Sequence, residues 1–497
     1  MAKEERFVRT LNKRDVFSLS FGAMIGWSWV MIVGDWITTG GTFGAILAFV
    51  LGGVMVLFVG LTYSELTSAM PLCGGEHVFS LRALGKGSSF VCTWAIILGY
   101  VGVVAFEACA FPTVIRYLFT VPDDQAVTFI NSNGVEIINT APAYLKGYMY
   151  TVAGFDVYAS WVAVGILSGV AITIINYLGI KPAAILNTIM VFIMFVVGIG
   201  FIAAAVVNGD AANMEPLFAA DSAGGGIMKV AIMTPFLFVG FDVIPQAAEE
   251  INLPYKTVGK ILVASVIVAT LWYIAIIFCV SRMMDTEAIG SSALVAADAM
   301  KLAFGNIDAF ANVMIIAGIC GILTCFNSFF VGGSRAVFAM AEANMLPKFL
   351  AKLHKKHRTP VTSIVFIGVV AIIAPFFGRP AMVWITDAGS FGIVIAYALV
   401  ALSFLVLRFR EKEMLRPYRA PLGTLVGVLA VGMSVFMFIF YLPGMPSALV
   451  TQEWIMVGGW TALGVVFGVY AKARYGKQFG EAEGLWYPLK KGETRAA

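Results

Sequence analysis

Four acidic residues, Asp35, Glu65, Glu107 and Asp242, stand inside or at the ends of long apolar runs. Charged groups at membrane depth are costly, and each one is a functional hypothesis until a structural partner is found for it. Glu107 lies deepest, in "YVGVVAFEACAFP", on the same helical face as Tyr100. There it can hold a coupling proton or pair with a substrate amine; packing against a neighbouring helix dipole or hydroxyl is an equally weighted alternative. Asp242 follows Gly240 and Phe241 in "VGFDVIP", and a coupling or gating role is favoured over a structural one. Glu65, in "YSEL", reads as a structural pairing group, and Asp35 as a group near the outer membrane face.

The elements that must position these groups carry unusual backbones. "GAMIGWSWVMIVGDW" (Gly22–Trp36) places glycines, Ser28 and three tryptophans inside a run long enough to cross a bilayer. "MTPFLFVGFDVIPQAAEEI" (Met233–Ile251) repeats the pattern, with Gly240 near its middle and prolines at 235 and 245. Proline removes a helix hydrogen bond, and irregular backbone at membrane depth survives only inside protein or along a wet cavity. A pair of such spans at matching positions of two halves points to a midplane binding site. Glycine also serves plain helix packing; the pairing tips the balance toward a site. Trp27, Trp29, Phe236, Phe238 and Phe241 flank the two breaks and offer faces for a cation. Trp36 fits interface anchoring better.

Composition agrees with a membrane setting. Of 497 residues, 60% are hydrophobic and 12% charged, about half the charged share of a soluble protein, and the mean hydropathy is +0.89. A net charge of +4 is too small to suggest nucleic-acid binding. The six cysteines form no CxxC pair, and the three histidines (His77, His354, His357) fall in polar connections. Neither a disulfide framework, a metal nor a cofactor is expected.

About twelve spans of roughly 20 apolar residues are expected, near 16–39, 43–70, 90–119, 157–178, 184–207, 227–247, 258–283, 307–341, 361–378, 382–407, 422–442 and 454–473. The eighth is long enough to run past the membrane. "KFLAKLHKKHR" (Lys348–Arg358) and "RFREKEMLRPYR" (Arg408–Arg419) are basic connections on the side of the N-terminus, whereas "VPDDQ" (Val121–Gln125) and "NGDAANMEP" (Asn208–Pro216) on the other side are not. The positive-inside rule then places both termini in the cytoplasm, in a multi-pass protein of the cytoplasmic (inner) membrane. The expected organisation is one transmembrane domain: a cytoplasmic N-terminus 1–15, a first repeat 16–207, a second 227–407, two further helices 422–473 and a cytoplasmic tail 474–497.

Longer motifs carry a family resemblance. "SFGAMIGWSW", "YSELTSAMPLCGGEHVFSLRALGKGSSFVCTW" (Tyr63–Trp94), "GGSRAVFAMAEANMLPKFLAKLHKKHRTPV" (Gly332–Val361) and "RPYRAPLG" (Arg416–Gly423) resemble elements of the amino acid–polyamine–organocation (APC) superfamily of secondary transporters. The resemblance implies an all-α polytopic protein with the leucine-transporter-like fold, two inverted five-helix repeats with helices 1 and 6 broken, and alternating access. It implies a substrate site at Ala23, Met24, Ile25, Gly26, Trp27, Ser28, Tyr100, Phe236, Phe238, Val239, Gly240, Phe241 and Asn327, with coupling or gating by Glu107, Asp242 and Trp29.

The departures bear on cargo and coupling. Where the family commonly has Ser or Thr and then Gly after the first glycine, Gly26 is followed by Trp27 and Ser28. The helix-five lysine of some proton-coupled members matches Met194. Of the helix-eight hydroxyl pair of sodium-coupled members, only Thr324 is present, with Asn327 and Ser328 about a turn later. The reading is a permease for a small amino acid or organic amine, with membrane lipid and a coupling proton as further partners. The alternatives are a gradient-independent exchanger or uniporter, and a channel. No polar stripe supports a channel, and no catalytic constellation supports an enzyme.

Overall fold

The computed structural model describes residues 7–121, 123–130, 136–219, 222–445 and 447–481. The expected tail 474–497 and N-terminus 1–15 therefore lie partly outside the described residues, as does one residue of Val121–Gln125.

Every expected span is helical. Among the described residues, eight helical stretches are long and apolar enough to cross a membrane. One of them, Val361–Arg410, holds spans nine and ten, Val361–Ile373 and Gly378–Arg410, joined by a 3-10 turn. Thr424–Phe440 is a shorter apolar helix and serves as span eleven. The remaining two spans are the broken ones. Span eight, Asp308–Glu342, runs 35 residues, about 50 Å at 1.5 Å per residue, so it does extend past a bilayer.

The first span is three pieces: Lys13–Met24, Ser28–Met31 and Val33–Gly40. Asn12 and Asp15 close a capping box at its start. The sixth is Ala223–Leu237, then irregular backbone, then Val243–Gln246 and the 3-10 turn Ala248–Glu250. The two breaks touch: a Cβ on Gly240, whose φ is +134°, would lie 2.5 Å from the Ala23 Cβ.

Several helix contacts are exchanged between the first five spans and the second five. Span two packs on seven, three on eight, and four on nine; the pair three and ten is mirrored by eight and five, and three and four by eight and nine. These exchanges fit two related sets of five spans.

The connection after span three holds two β-hairpins outside the helical body. Val127–Ile130 pairs with Glu136–Asn139, and Tyr148–Val152 with Phe155–Tyr158, both antiparallel. The second turns at Ala153 and Gly154, both at positive φ, as a two-residue hairpin loop demands. These hairpins mark one face, and the N-terminus marks the other.

The N-terminal face is sealed. Thr10 and Leu11 N–H groups donate to the Glu250 carbonyl, both at 3.0 Å. Arg335 grips the Glu250 carboxylate with two 3.1 Å contacts, and Lys181 meets Asp15 at 2.5 Å. Glu65 has the structural role expected of it. It is buried against Arg408 and Arg416 and accepts the Ala420 N–H at 2.8 Å.

Two expectations are corrected. Trp36 is not an interface anchor: it is fully buried, 4.5 Å from the Phe49 ring and 5.6 Å from that of Tyr273. His77 is not in an open polar connection but buried in the helix Glu76–Leu84, beside Thr93 and Ser89. Burial holds its pKa down, to about 4.

Candidate functional site

Between the two breaks and the hairpin face lies a cavity of about 610 Å³, inside the range of small-molecule sites. Spans one, three, six, eight and ten wall it, together with the segment from Tyr441 to Glu453 that joins spans eleven and twelve. Of the expected substrate residues, Ala23, Met24, Gly26, Trp27, Ser28, Phe236 and Val239 line it, and so does Glu107.

The chemistry centres on the first break. Ile25 N–H still bonds back to Phe21, but the N–H groups of Gly26, Trp27, Ser28 and Trp29 donate to no backbone carbonyl among the described residues. Glu107 reaches the same place. Its Oε1 is 3.3 Å from where a Cβ on Gly26 would sit, and Cys325 Sγ is 3.6 Å from that point. Glu107 is 3% exposed, and its Oε2 has no hydrogen-bond partner. A carboxyl buried so costs several kcal/mol unless a proton or a cationic ligand joins it. Amides without a backbone partner and a carboxyl with one free oxygen thus come together at the edge of one small chamber.

Tyr273, on span seven, ties the breaks together. Its hydroxyl lies 2.8 Å from the Met24 carbonyl oxygen, 3.3 Å from that of Leu237 and 3.3 Å from Ser28 Oγ. Sequence reasoning passed over this residue, because nothing in a lone tyrosine of an apolar span announces such a contact.

Other expected residues sit off the cavity wall. Asp242 is fully buried beneath it, accepting hydrogen bonds from Tyr100 at 2.6 Å, the Gly240 N–H at 2.8 Å and Tyr397 at 3.2 Å. Phe241 packs between Tyr63 and Tyr397, so this group forms a floor. Phe238 is packed against Phe49 and Tyr273, Ile25 is fully buried, and Trp29 stands edge-on to Trp272 at 5.4 Å. Asn327 belongs to a ladder of amides, accepting from Asn176 at 2.8 Å and donating to Asn187 at 2.7 Å. Their bonds to each other leave these residues facing protein rather than the chamber.

Three charged cavity residues escaped the sequence reading: Arg379, Asp387 and Glu453. Asp387 met the criterion that singled out Glu107, an acid within an expected span, and was there to be found.

Trp27 is 6% exposed and lines the cavity, its indole resting on Gly318 of span eight. If it faces a bound ammonium, Trp27→Ala should weaken ligand binding by about 1–2 kcal/mol. Isothermal titration of the purified variant checks this, and unchanged affinity assigns the indole to packing.

Broken spans that meet at a central chamber, closed on one face and bounded by a polar floor, define a polytopic membrane transporter rather than an enzyme. The family model described as amino acid permease matches residues 11–467, and the chain belongs to that family. It is 26% identical over 462 residues to the branched-chain amino acid permease of Bacillus subtilis, covering 92% of each chain. It is 25% identical over 473 residues to the methylthioribose transporter of the same bacterium, covering 95% of each. To that organism's aspartate–proton symporter it is 22% identical over 447 residues, covering 88% of this chain and 80% of the relative. The chain is an amino acid transporter by family.

Proposed function

We propose that this protein carries an α-amino acid across the cytoplasmic membrane by alternating access, coupled to protons. The supporting observation is the meeting of the Gly26–Ser28 amides, which donate to no backbone carbonyl among the described residues, with Glu107, whose Oε2 has no partner. Amides at the start of a helical segment hold a carboxylate, and Glu107 receives the ammonium or, between substrates, a proton. Ser28 adds a hydroxyl where the family has a bare glycine, and Tyr273 engages that hydroxyl, which leaves the amides open to the ligand.

The sealed face carries the N-terminus and the basic connections, so the positive-inside rule makes it cytoplasmic. The cavity then faces outward. Among the two candidate proton carriers, Asp242 has both oxygens engaged by Tyr100, Tyr397 and Gly240, whereas Glu107 keeps one free. Glu107 is the better carrier, and a relative described as an aspartate–proton symporter supports such coupling.

The test is uptake into proteoliposomes. An inward proton gradient should speed uptake several-fold, and Glu107→Gln should abolish that dependence while Asp242→Asn slows transport at every gradient. Uptake indifferent to pH and protonophores would make exchange or uniport the better reading. Competition by amines lacking a carboxylate, as strong as by the parent amino acids, would make this an amine carrier.

A further inference from the structure

The cavity holds more charge than an α-amino group and a carboxylate require. Asp387 projects from span ten on the face that also carries Val383, Thr386 and Ser390, all of them cavity-lining. Glu453, 6% exposed, opens the helix Thr451–Tyr475 and lines the same space. Its Oε2 caps the Val450 N–H at 2.8 Å, and its carboxyl shares the cavity lining with that of Asp387. Capping alone accounts for one oxygen of Glu453 and for none of Asp387. Among the described residues neither acid forms an ion pair. Two facing carboxyls repel unless a proton or a cation comes between them.

A second pointer to a ligand is independent of this pair. Glu107 Oε2, on another helix of the same cavity, is buried without a partner. The register of spans three and ten relates the two places. Gly102 lies against Ile385, Gly99 against Gly389, and Ala95 against Gly392. Continued by one and a half turns, this antiparallel register sets Glu107 level with the start of span ten, the turn that carries Arg379. Asp387 is then about 10 Å away along the axis. Arg379 itself reaches only the Met31 sulfur, at 3.6 Å, and no carboxylate among the described residues.

Acid and guanidinium at one level, two further acids about 10 Å along the axis, and Phe106 and Phe236 in the same lining complement one kind of molecule. We propose that the cavity selects basic α-amino acids, with the side-chain cation received between Asp387 and Glu453. An extended chain of four methylenes, with a hydrogen bond at each end, covers such a gap. Arg379, a cavity cation with no carboxylate partner among the described residues, favours a ligand that keeps its carboxylate over a bare diamine. This inference rests on the amino acid reading above and adds the class of side chain.

Three probes test it on the purified full-length protein by thermal-shift titration: L-lysine, L-norleucine and cadaverine. Lysine should half-saturate at about tenfold lower concentration than norleucine or less, the difference being a charge-assisted contact. Asp387→Asn and Glu453→Gln, the latter able to keep the helix cap, should bring lysine to the norleucine level. The melting transition of each variant without ligand reports that it is folded. Asp387→Glu should keep the preference. Norleucine equal to lysine in the unsubstituted protein, or a lysine preference that survives both neutral variants, overturns the proposal while the amino acid reading stands. Cadaverine binding as tightly as lysine overturns the carboxylate's part in it. If none of the three shifts the melting, a panel of the remaining amino acids decides: a neutral or acidic ligand overturns only this inference, and silence from all of them overturns the reading beneath it.

Discussion

Gly240→Ala is expected to reduce uptake to near background. The position has φ of +134°, and a Cβ there would come within 2.8 Å of the Ala23 carbonyl carbon and 3.0 Å of the Met24 nitrogen. Both are backbone atoms of the other break, so no side-chain rotation relieves the contact. Strain at such a φ costs about 1–3 kcal/mol, and overpacking adds about as much. The protein can meet that cost only by pushing the two breaks apart, which displaces the amides and Glu107 from one another. Gly26 behaves differently. A Cβ there meets Glu107 Oε1 at 3.3 Å and Cys325 Sγ at 3.6 Å, contacts that small shifts absorb. Gly26→Ala should therefore stay folded with reduced uptake, and Gly26→Leu should stay folded while filling the chamber and abolishing binding. Gly432, with nothing within 4 Å, supplies the control: Gly432→Ala should transport normally. Melting curves and uptake measured side by side in detergent and liposomes separate the cases. Gly240→Ala transporting at the wild-type rate would mean the breaks do not depend on this contact.

The difference between these glycines was only half legible in the chain. That spans one and six break, and that glycine marks each break, followed from composition within apolar runs, because backbone rules hold at any membrane depth. Which broken-span residues would face the chamber did not follow. Trp27 and Trp29 are two apart, so they point to different sides of the helical segment; only Trp27 reaches the cavity, and Trp29 meets Trp272. Asn327 looked like a ligand-facing amide beside Thr324, but its partners come from spans four and five, a pairing that needs the three-dimensional packing to be seen. Trp36 fits the interface by its type alone, whereas Phe49 and Tyr273 bury it. Asp387 is a different kind of omission, since its setting within a span was visible, while its meeting with Glu453 depends on how the segment after span eleven folds back. The hairpins carried a signal, "YMYTVAGFDVY", in which Ala153–Gly154 separates two alternating runs. In a chain so dominated by apolar helices, those short runs stand out weakly.

The second large effect lies at the sealed face. Arg335, fully buried on span eight, holds Glu250 through two 3.1 Å contacts and reaches Ser334 Oγ at 2.9 Å. Glu250 in turn anchors the segment before span one through its carbonyl, and Asn252 N–H bonds to the Leu11 carbonyl at 3.0 Å. One guanidinium thus fastens spans eight, six and one together on the side opposite the cavity, and alternating access requires that fastening to open. Arg335→Met leaves Glu250 buried without its cation, which costs about 3–5 kcal/mol. The double variant Arg335→Met with Glu250→Leu should recover most of that loss, because replacing a whole buried pair by apolar groups is close to neutral. Opening has its own reporter in Cys73, which is buried with Phe7 and Phe338 on this face, 3.9 Å from the Arg335 carbonyl oxygen. With the other five cysteines replaced by alanine or serine, Cys73 should react with a maleimide several-fold faster in Arg335→Met than in its parent. It should be protected again when a transported amino acid stabilises the form open on the hairpin face. If Arg335→Met melts at the parent temperature and Cys73 reacts no faster, the pair is not what keeps this face closed. The Thr10 and Leu11 bonds to Glu250 and the Lys181–Asp15 contact would then carry the seal, and the same labelling assay applied to Asp15→Asn would show it.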